Sequence, residues 1–276
     1  MFWQTTRHRI DLTRVRIMAV VNVTPDSFSD GGRFARADDA LRQCEQALQD
    51  GADMLDIGGE SSRPGARPVP EQEELDRIAP VLVRALTLGC PVSVDTVKPG
   101  VMRSVLDLGV DIVNDINALQ APGALDVVAA HPSSGVALMH MRGTPATMQH
   151  QPRYADVVAE VGDFLRGRAR VLQAAGVGLE RIVFDPGIGF GKSPEHNLEL
   201  LRRQRELLAL GRPLLAGWSR KSTLGVLTGR AVEERMVASV AAALAAVANG
   251  ATLVRVHDVA ATADALKVWR AAGLCE

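Results

Sequence analysis

Residues 182–192 read Ile-Val-Phe-Asp-Pro-Gly-Ile-Gly-Phe-Gly-Lys. Three consecutive apolar residues, Ile182, Val183 and Phe184, predict a short buried strand, after which the chain delivers one carboxylate, Asp185, and breaks into a glycine-rich turn. A parallel strand of an α/β protein presents ligand-binding groups at this point, because the crevice lies beyond the carboxyl ends of the strands. Two familiar glycine motifs do not fit. A phosphate-cradling Gly-x-x-x-x-Gly-Lys loop needs glycine at Pro186, and a dinucleotide fingerprint begun at Gly187 needs glycine at Lys192. The glycines therefore read as local, letting the backbone turn sharply and come close to a ligand.

Outward from this stretch the same grammar recurs. Apolar runs that end in a polar residue fall at residues 17–21, 53–57, 92–94, 111–113, 136–139, 182–184, 213–216 and 252–256. Helical periodicity falls between them, at about residues 38–49, 71–88, 154–175, 195–210 and 236–248. Long loops follow the strands at residues 23–32, 58–67, 141–148 and 217–225. Eight strand-loop-helix units without a composition break or linker predict α/β architecture, a single (β/α)8 TIM barrel over residues 1–276. A doubly wound open sheet is the structural alternative, since pattern alone does not show closure.

The bulk composition excludes several classes. The chain has 276 residues, 47% hydrophobic and 23% charged, as in an ordinary globular protein with a large core. Its net charge of -1 leaves no basic excess for nucleic acid or an anionic membrane, so no nucleic-acid and no membrane partner is expected. Three cysteines, Cys44, Cys90 and Cys275, lack metal-ligand spacing and suit a reducing compartment, read as cytoplasmic. Residues 1–16 are polar and basic without an apolar core, which fits neither a signal peptide nor an anchor. The alanine-rich run 236–248 falls short of the roughly 20 residues that span a bilayer.

The informative pattern is where the polar residues fall. Asn22, Asp56, Asp95, Asn114, His140, Asp185, Lys221, Arg255 and His257 stand at or just beyond the ends of different strands, hence on one face of one barrel. Singly, an aspartate there caps a helix and an asparagine holds a turn about as often; nine around one mouth predict a site. Asp95, Asn114 and Asp185 offer acceptors for a flat heterocycle with adjacent N–H donors. Arg63, Lys221, Arg255 and His257 offer donors and positive charge for phosphate. A Schiff-base role for Lys221 competes, but Arg220 beside it favours anion binding. His140 reads as a satisfied core histidine, and no cluster predicts zinc. Asn22 together with a diphosphate suits Mg²⁺, which takes few protein oxygens plus phosphate and water.

Five loops also carry a resemblance. Residues 22–32, Asn-Val-Thr-Pro-Asp-Ser-Phe-Ser-Asp-Gly-Gly, and 56–65, Asp-Ile-Gly-Gly-Glu-Ser-Ser-Arg-Pro-Gly, are similar to loops of the dihydropteroate synthase family of the folate pathway. So are residues 184–192, Ser219-Arg-Lys-Ser222 and Arg255-Val-His257, in the same order along nearly the whole chain. The resemblance implies a transferase that joins 6-hydroxymethyl-7,8-dihydropterin diphosphate to para-aminobenzoate with Mg²⁺, and a homodimer through the late helices. It implies pterin contacts at Asp95, Asn114, Asp185 and Lys221, with Met139 and Phe190 packing nearby. Asn22, Arg63, Arg255 and His257 take the diphosphate, Asn22 also the metal. Ser62, Arg63, Pro64, Phe190 and Ser222 form the aminobenzoate side, with the first two loops as a lid. Asp95, Asp185, Lys221 and Arg255 are the residues expected to carry the reaction. Ser62, Ile188 and Trp218 depart mildly from the family pattern and bear on the shape of the aminobenzoate pocket, hence on sulfonamide sensitivity. The rivals are a pterin-binding methyltransferase module and a silent pterin-binding paralogue.

Overall fold

Residues 1–16, which show no pattern predictive of structure, form a hairpin of β1 (Phe2–Gln4) and β2 (Arg9–Asp11), paired antiparallel with Trp3 opposite Ile10. Strands of three residues are too short for alternation to stand out in a sequence. Their inward side chains are nonetheless decisive: Trp3, Ile10 and Leu12 are buried in a cluster with Met18, Met54, Ile112, Ala137, Val183, Leu215 and Leu253. The Trp3 indole N–H donates to the Arg181 carbonyl at 2.8 Å. Asp111, wholly buried, accepts from the Arg7 guanidinium at 2.5 Å and from the backbone N–H groups of Arg7 and Val92 at 2.9 Å. The hairpin is thus a floor, sealed by an indole and bolted by one satisfied carboxylate.

The computed structural model describes residues 1–23, 33–62 and 65–274. The lid residues 24–32, Arg63, Pro64 and Cys275 lie outside them. Eight parallel strands follow the hairpin: β3 (Arg16–Asn22), β4 (Met54–Gly58), β5 (Val92–Asp95), β6 (Ile112–Asp115), β7 (Gly135–Met139), β8 (Ile182–Asp185), β9 (Leu215–Ala216) and β10 (Leu253–Val256). They run side by side in the order β8-β7-β6-β5-β4-β3-β10-β9. A parallel bridge between Phe184 and Leu214, with the Phe184 N–H donating to the Pro213 carbonyl at 3.0 Å, joins the two ends. The sheet is therefore a closed barrel, not a doubly wound sheet. Most of its strand residues are buried on both faces, which is why they read as unbroken apolar runs.

Helices wrap the strands: α1 (Arg33–Gln49), α2 (Glu71–Ala85), α3 (Pro99–Asp107), α4 (Ala124–Ala130), α5 (Val157–Ala174), α6 (Pro194–Arg202), α7 (Ser222–Thr228), α8 (Met236–Ala248) and α9 (Val259–Ala271). The helix predicted over 195–210 is broken. After α6 the chain tightens into a 3₁₀ segment, Gln204–Leu210, where buried Gln204 donates to the Ala246 carbonyl of α8 at 2.9 Å. That tertiary bond holds the chain out of the α-helical path. Two large apolar clusters fill the space between barrel and helices, one on each side.

Candidate active site

Strand ends place the polar residues, as the sequence pattern requires. Asn22 closes β3, Asp95 closes β5, Met139 closes β7 and Asp185 closes β8; register sets Asp95 beside Asn114 and Met139 beside Asp185. Arg255 rises from β10, His257 follows it, and Lys221 stands just before α7, whose first residue is Ser222. All face the end of the barrel opposite the hairpin.

The acceptor set and the donor set are in direct contact. Arg255 donates from Nε to Asp56 at 2.6 Å and from Nη2 to Asp95 at 2.7 Å, so the guanidinium bridges a carboxylate within β4 and one at the end of β5. The same Asp56 oxygen accepts from Asn114 Nδ2 at 3.0 Å, while Asp56 Oδ1 is buried with no partner among the described residues. Burial pushes the Asp95 carboxyl well above its ordinary range; the Arg255 charge opposes this and Asp56 adds to it. Asp185 is also raised by burial, against the Gly187 N–H, Lys221 and Arg255. Each carboxylate thus sits where additional N–H donors would be strongly welcomed.

The cations need two corrections. His257 was expected to bring positive charge, but burial, then Arg255 and Arg220, lower it to about 3, so it is a neutral imidazole at pH 7. Its Nδ1 lies 3.0 Å from Ser219 Oγ, which also accepts the His257 backbone N–H at 3.1 Å. Arg220 is paired with Asp258 at 2.6 Å, so its charge is partly offset before it can serve an anion beside Lys221. Lys221 itself is half-buried, with Nζ 4.1 Å from the centre of the Phe190 ring. Burial lowers it to about 8, with Asp185 opposing and Arg255 adding.

Phe190 is placed by the glycine-rich turn after β8. Gly187, at φ 69°, lies so close to β7 that a Cβ there would stand 1.9 Å from the His140 carbonyl oxygen, and the turn is closed by the Gly187 N–H on Asp185 Oδ1 at 2.7 Å. No other residue type fits that approach. His140 is the packed histidine the sequence predicted: its ring meets Phe164 edge-on at 5.0 Å, and burial lowers it to about 3. Ile188 and Trp218 are buried in the apolar cluster on this side, while Ser62 is part-exposed. Asp56, which the sequence reading placed at the mouth, and Lys192 are the residues to which it gave no role. Asp56 had a signal, a carboxylate inside an apolar strand; Lys192 had one too, a lysine closing a glycine run.

A metal ion would have to rely on few protein ligands. Among the described residues no group of three or more His, Cys, Asp or Glu side chains could hold one. A single amide oxygen at Asn22, beside a ligand that brings its own phosphate oxygens, is a donor set compatible with Mg²⁺.

Comparison with known proteins agrees with this site. The family profile described as pterin binding enzyme matches residues 18–257. A dihydropteroate synthase of Neisseria meningitidis serogroup B is 52% identical over 278 residues, covering 99% of this chain and 98% of that one. The structure of Xanthomonas albilineans dihydropteroate synthase with 4-aminobenzoic acid superposes with a TM-score of 0.93 at 48% identity, over 99% of both chains. The same enzyme in complex with 7,8-dihydropteroate superposes with a TM-score of 0.89 at 46% identity, over 98% of both.

Proposed function

Because the chain belongs to the pterin binding enzyme family, we propose that it acts as a dihydropteroate synthase, joining 6-hydroxymethyl-7,8-dihydropterin diphosphate to para-aminobenzoate. The observation that carries this reading is the mouth itself: two buried carboxylates raised by burial, Asp95 and Asp185, beside a guanidinium and an amine. A donor-rich ring with an anionic tail satisfies both kinds of group at once.

An aromatic amine is a weak nucleophile, so the reaction runs by departure of diphosphate before attack. The methylene C–O bond breaks, its electron pair leaves on diphosphate, and the aminobenzoate nitrogen forms the new C–N bond and releases its proton. Asp185, Asp95 and Asn114 hold the pterin N–H groups, and the two carboxylates stabilise the cation left behind. Phe190 and Met139 pack on the ring, and Lys221 holds its polar edge. Arg255, Asn22, Arg63 and neutral His257 receive the leaving diphosphate. Mg²⁺ held by Asn22 and the diphosphate supplies charge neutralisation on the leaving group. Ser62, Arg63, Pro64, Phe190 and Ser222 hold the aminobenzoate.

A homodimer through the late helices belongs to this reading. Its support is the exposure of Val226 and Leu227 on α7, Met236 and Val237 on α8 and Val268 on α9. A cytoplasmic setting is supported by free, buried Cys44 and Cys90, and among the described residues no helix is long and apolar enough to cross a membrane. Diphosphate release from purified protein, with pterin diphosphate and Mg²⁺, tests the function. Release that depends on para-aminobenzoate and yields 7,8-dihydropteroate establishes it. Pterin binding without turnover would overturn it in favour of a silent pterin-binding protein.

A further inference from the structure

Lys192 is 2% exposed, yet among the described residues no carboxylate touches it. Its Nζ lies 2.9 Å from Nδ1 of His140 and donates to three backbone carbonyls, those of Gly187 at 2.9 Å, Phe190 at 3.0 Å and His140 at 3.2 Å. A lysine buried without a counter-ion is costly and demands a reason. The reason is in the turn. Gly187 is pressed onto the end of β7 too tightly to admit a Cβ, so the carbonyls of residues 140, 187 and 190 converge in a space closed to solvent. The Gly187 carbonyl has one backbone donor, the Phe190 N–H at 3.1 Å, while the Gly187 N–H goes to Asp185 and the Gly189 N–H to Asn197, so among the described residues the carbonyls of His140 and Phe190 depend on Lys192. The chain answers by folding the last side chain of the turn back into its centre.

We propose that Lys192 is a positioning residue for the ligand mouth, an internal hub around which residues 185–192 wrap so that Phe190 is held against Lys221. It touches no substrate in this arrangement and acts through the Phe190 ring. Contacts from outside complete the hold: Gln149 donates to the Gly189 carbonyl at 2.7 Å and the Tyr154 hydroxyl to that of Gly191 at 2.8 Å. The rejected phosphate-loop reading is explained at the same time, because the lysine points into its own turn. The inference rests on the proposed reading of Phe190 as a pterin contact.

The test is a double-mutant cycle on pterin binding by calorimetry. Lys192→Met keeps the length and removes the donors, stranding the carbonyls of His140 and Phe190; pterin affinity should fall about tenfold. In a Phe190→Ala background the same change should cost less than about twofold, because the ring it positions is gone. Leu266→Ala, a core truncation on α9 remote from the mouth, serves as a comparably destabilised control and should leave affinity within about twofold of the parent. Should Lys192→Met fail to fold, the cycle runs with Lys192→Gln, whose amide retains two donors, and the same disappearance in the Phe190→Ala background is expected. Additive losses, or equal losses in Lys192→Met and Leu266→Ala, would overturn the positioning role. If Phe190→Ala alone leaves pterin affinity unchanged, the reading of Phe190 as a pterin contact is wrong and the proposal falls with it.

Discussion

The two ends of the barrel carry comparable buried charge and treat it in opposite ways. At the floor, Asp111 spends both oxygens on Arg7 and two backbone N–H groups, and the indole of Trp3 finds the Arg181 carbonyl. At the mouth, Asp56 has an oxygen without a partner among the described residues, and Asp95 and Asp185 are raised by burial despite the cations beside them. The difference is one of satisfaction at the carboxylates: Asp111 is fully paired without a ligand, whereas those of the mouth leave polar capacity open for one. The same fold keeps stability at one end and readiness to bind at the other.

That contrast breaks first if the floor turns out to govern binding. Trp3→Ala should cost about 3–5 kcal/mol of stability, the usual cost of truncating a buried tryptophan. Pterin affinity, measured where the variant is still folded, should stay within about twofold of the parent; a large loss of affinity would mean that the ends are coupled. Next in size, Arg255→Ala should lower turnover by roughly 10² to 10³, the scale for one electrostatic stabiliser. It also strands Asp56 and Asp95 against each other, so its melting temperature should fall. An unchanged rate would remove Arg255 from the reaction. Asp185→Asn should weaken pterin binding by about 1–3 kcal/mol while barely altering stability, as suits a group whose partner is the ligand. Calorimetry finding normal affinity would refute that contact.

The smallest effect is the sharpest. Lys221 is held at about 8, below its ordinary value, so pterin affinity should decline as pH rises through 8, and the decline should be absent in Lys221→Met. Stability runs the other way. Between pH 8 and the ordinary lysine range the unfolded chain binds more protons at this residue, so its contribution to stability grows with pH. Affinity flat across that range would show that the charge on Lys221 is not used.

Much of this was legible before any coordinates. Residues 182–184 and 92–94 are buried on both faces, and total burial writes itself as an unbroken apolar run with a polar terminus. The mouth could be read from those termini. The floor could not: in the hairpin only Trp3 and Ile10 point inward, too few to form a period, and their partners stand at Met18, Ile112 and Val183. His257 was misread because its charge depends on its burial, and then on Arg255 and Arg220 standing near it in space. Arg220 was misread because, at φ 59°, the backbone turns its side chain toward Asp258. Lys192 was visible as a residue but not as a direction.

The indole of Trp3 has a consequence in time. Its acceptor lies 178 residues further along the chain, so during synthesis the hairpin's inward face exists long before the strands it covers. A contact of such separation brings its reward only after a large loop has closed. On the ribosome, then, Trp3 is made 178 residues ahead of the carbonyl that seals it, and until that stretch emerges its indole is surface for a chaperone to guard.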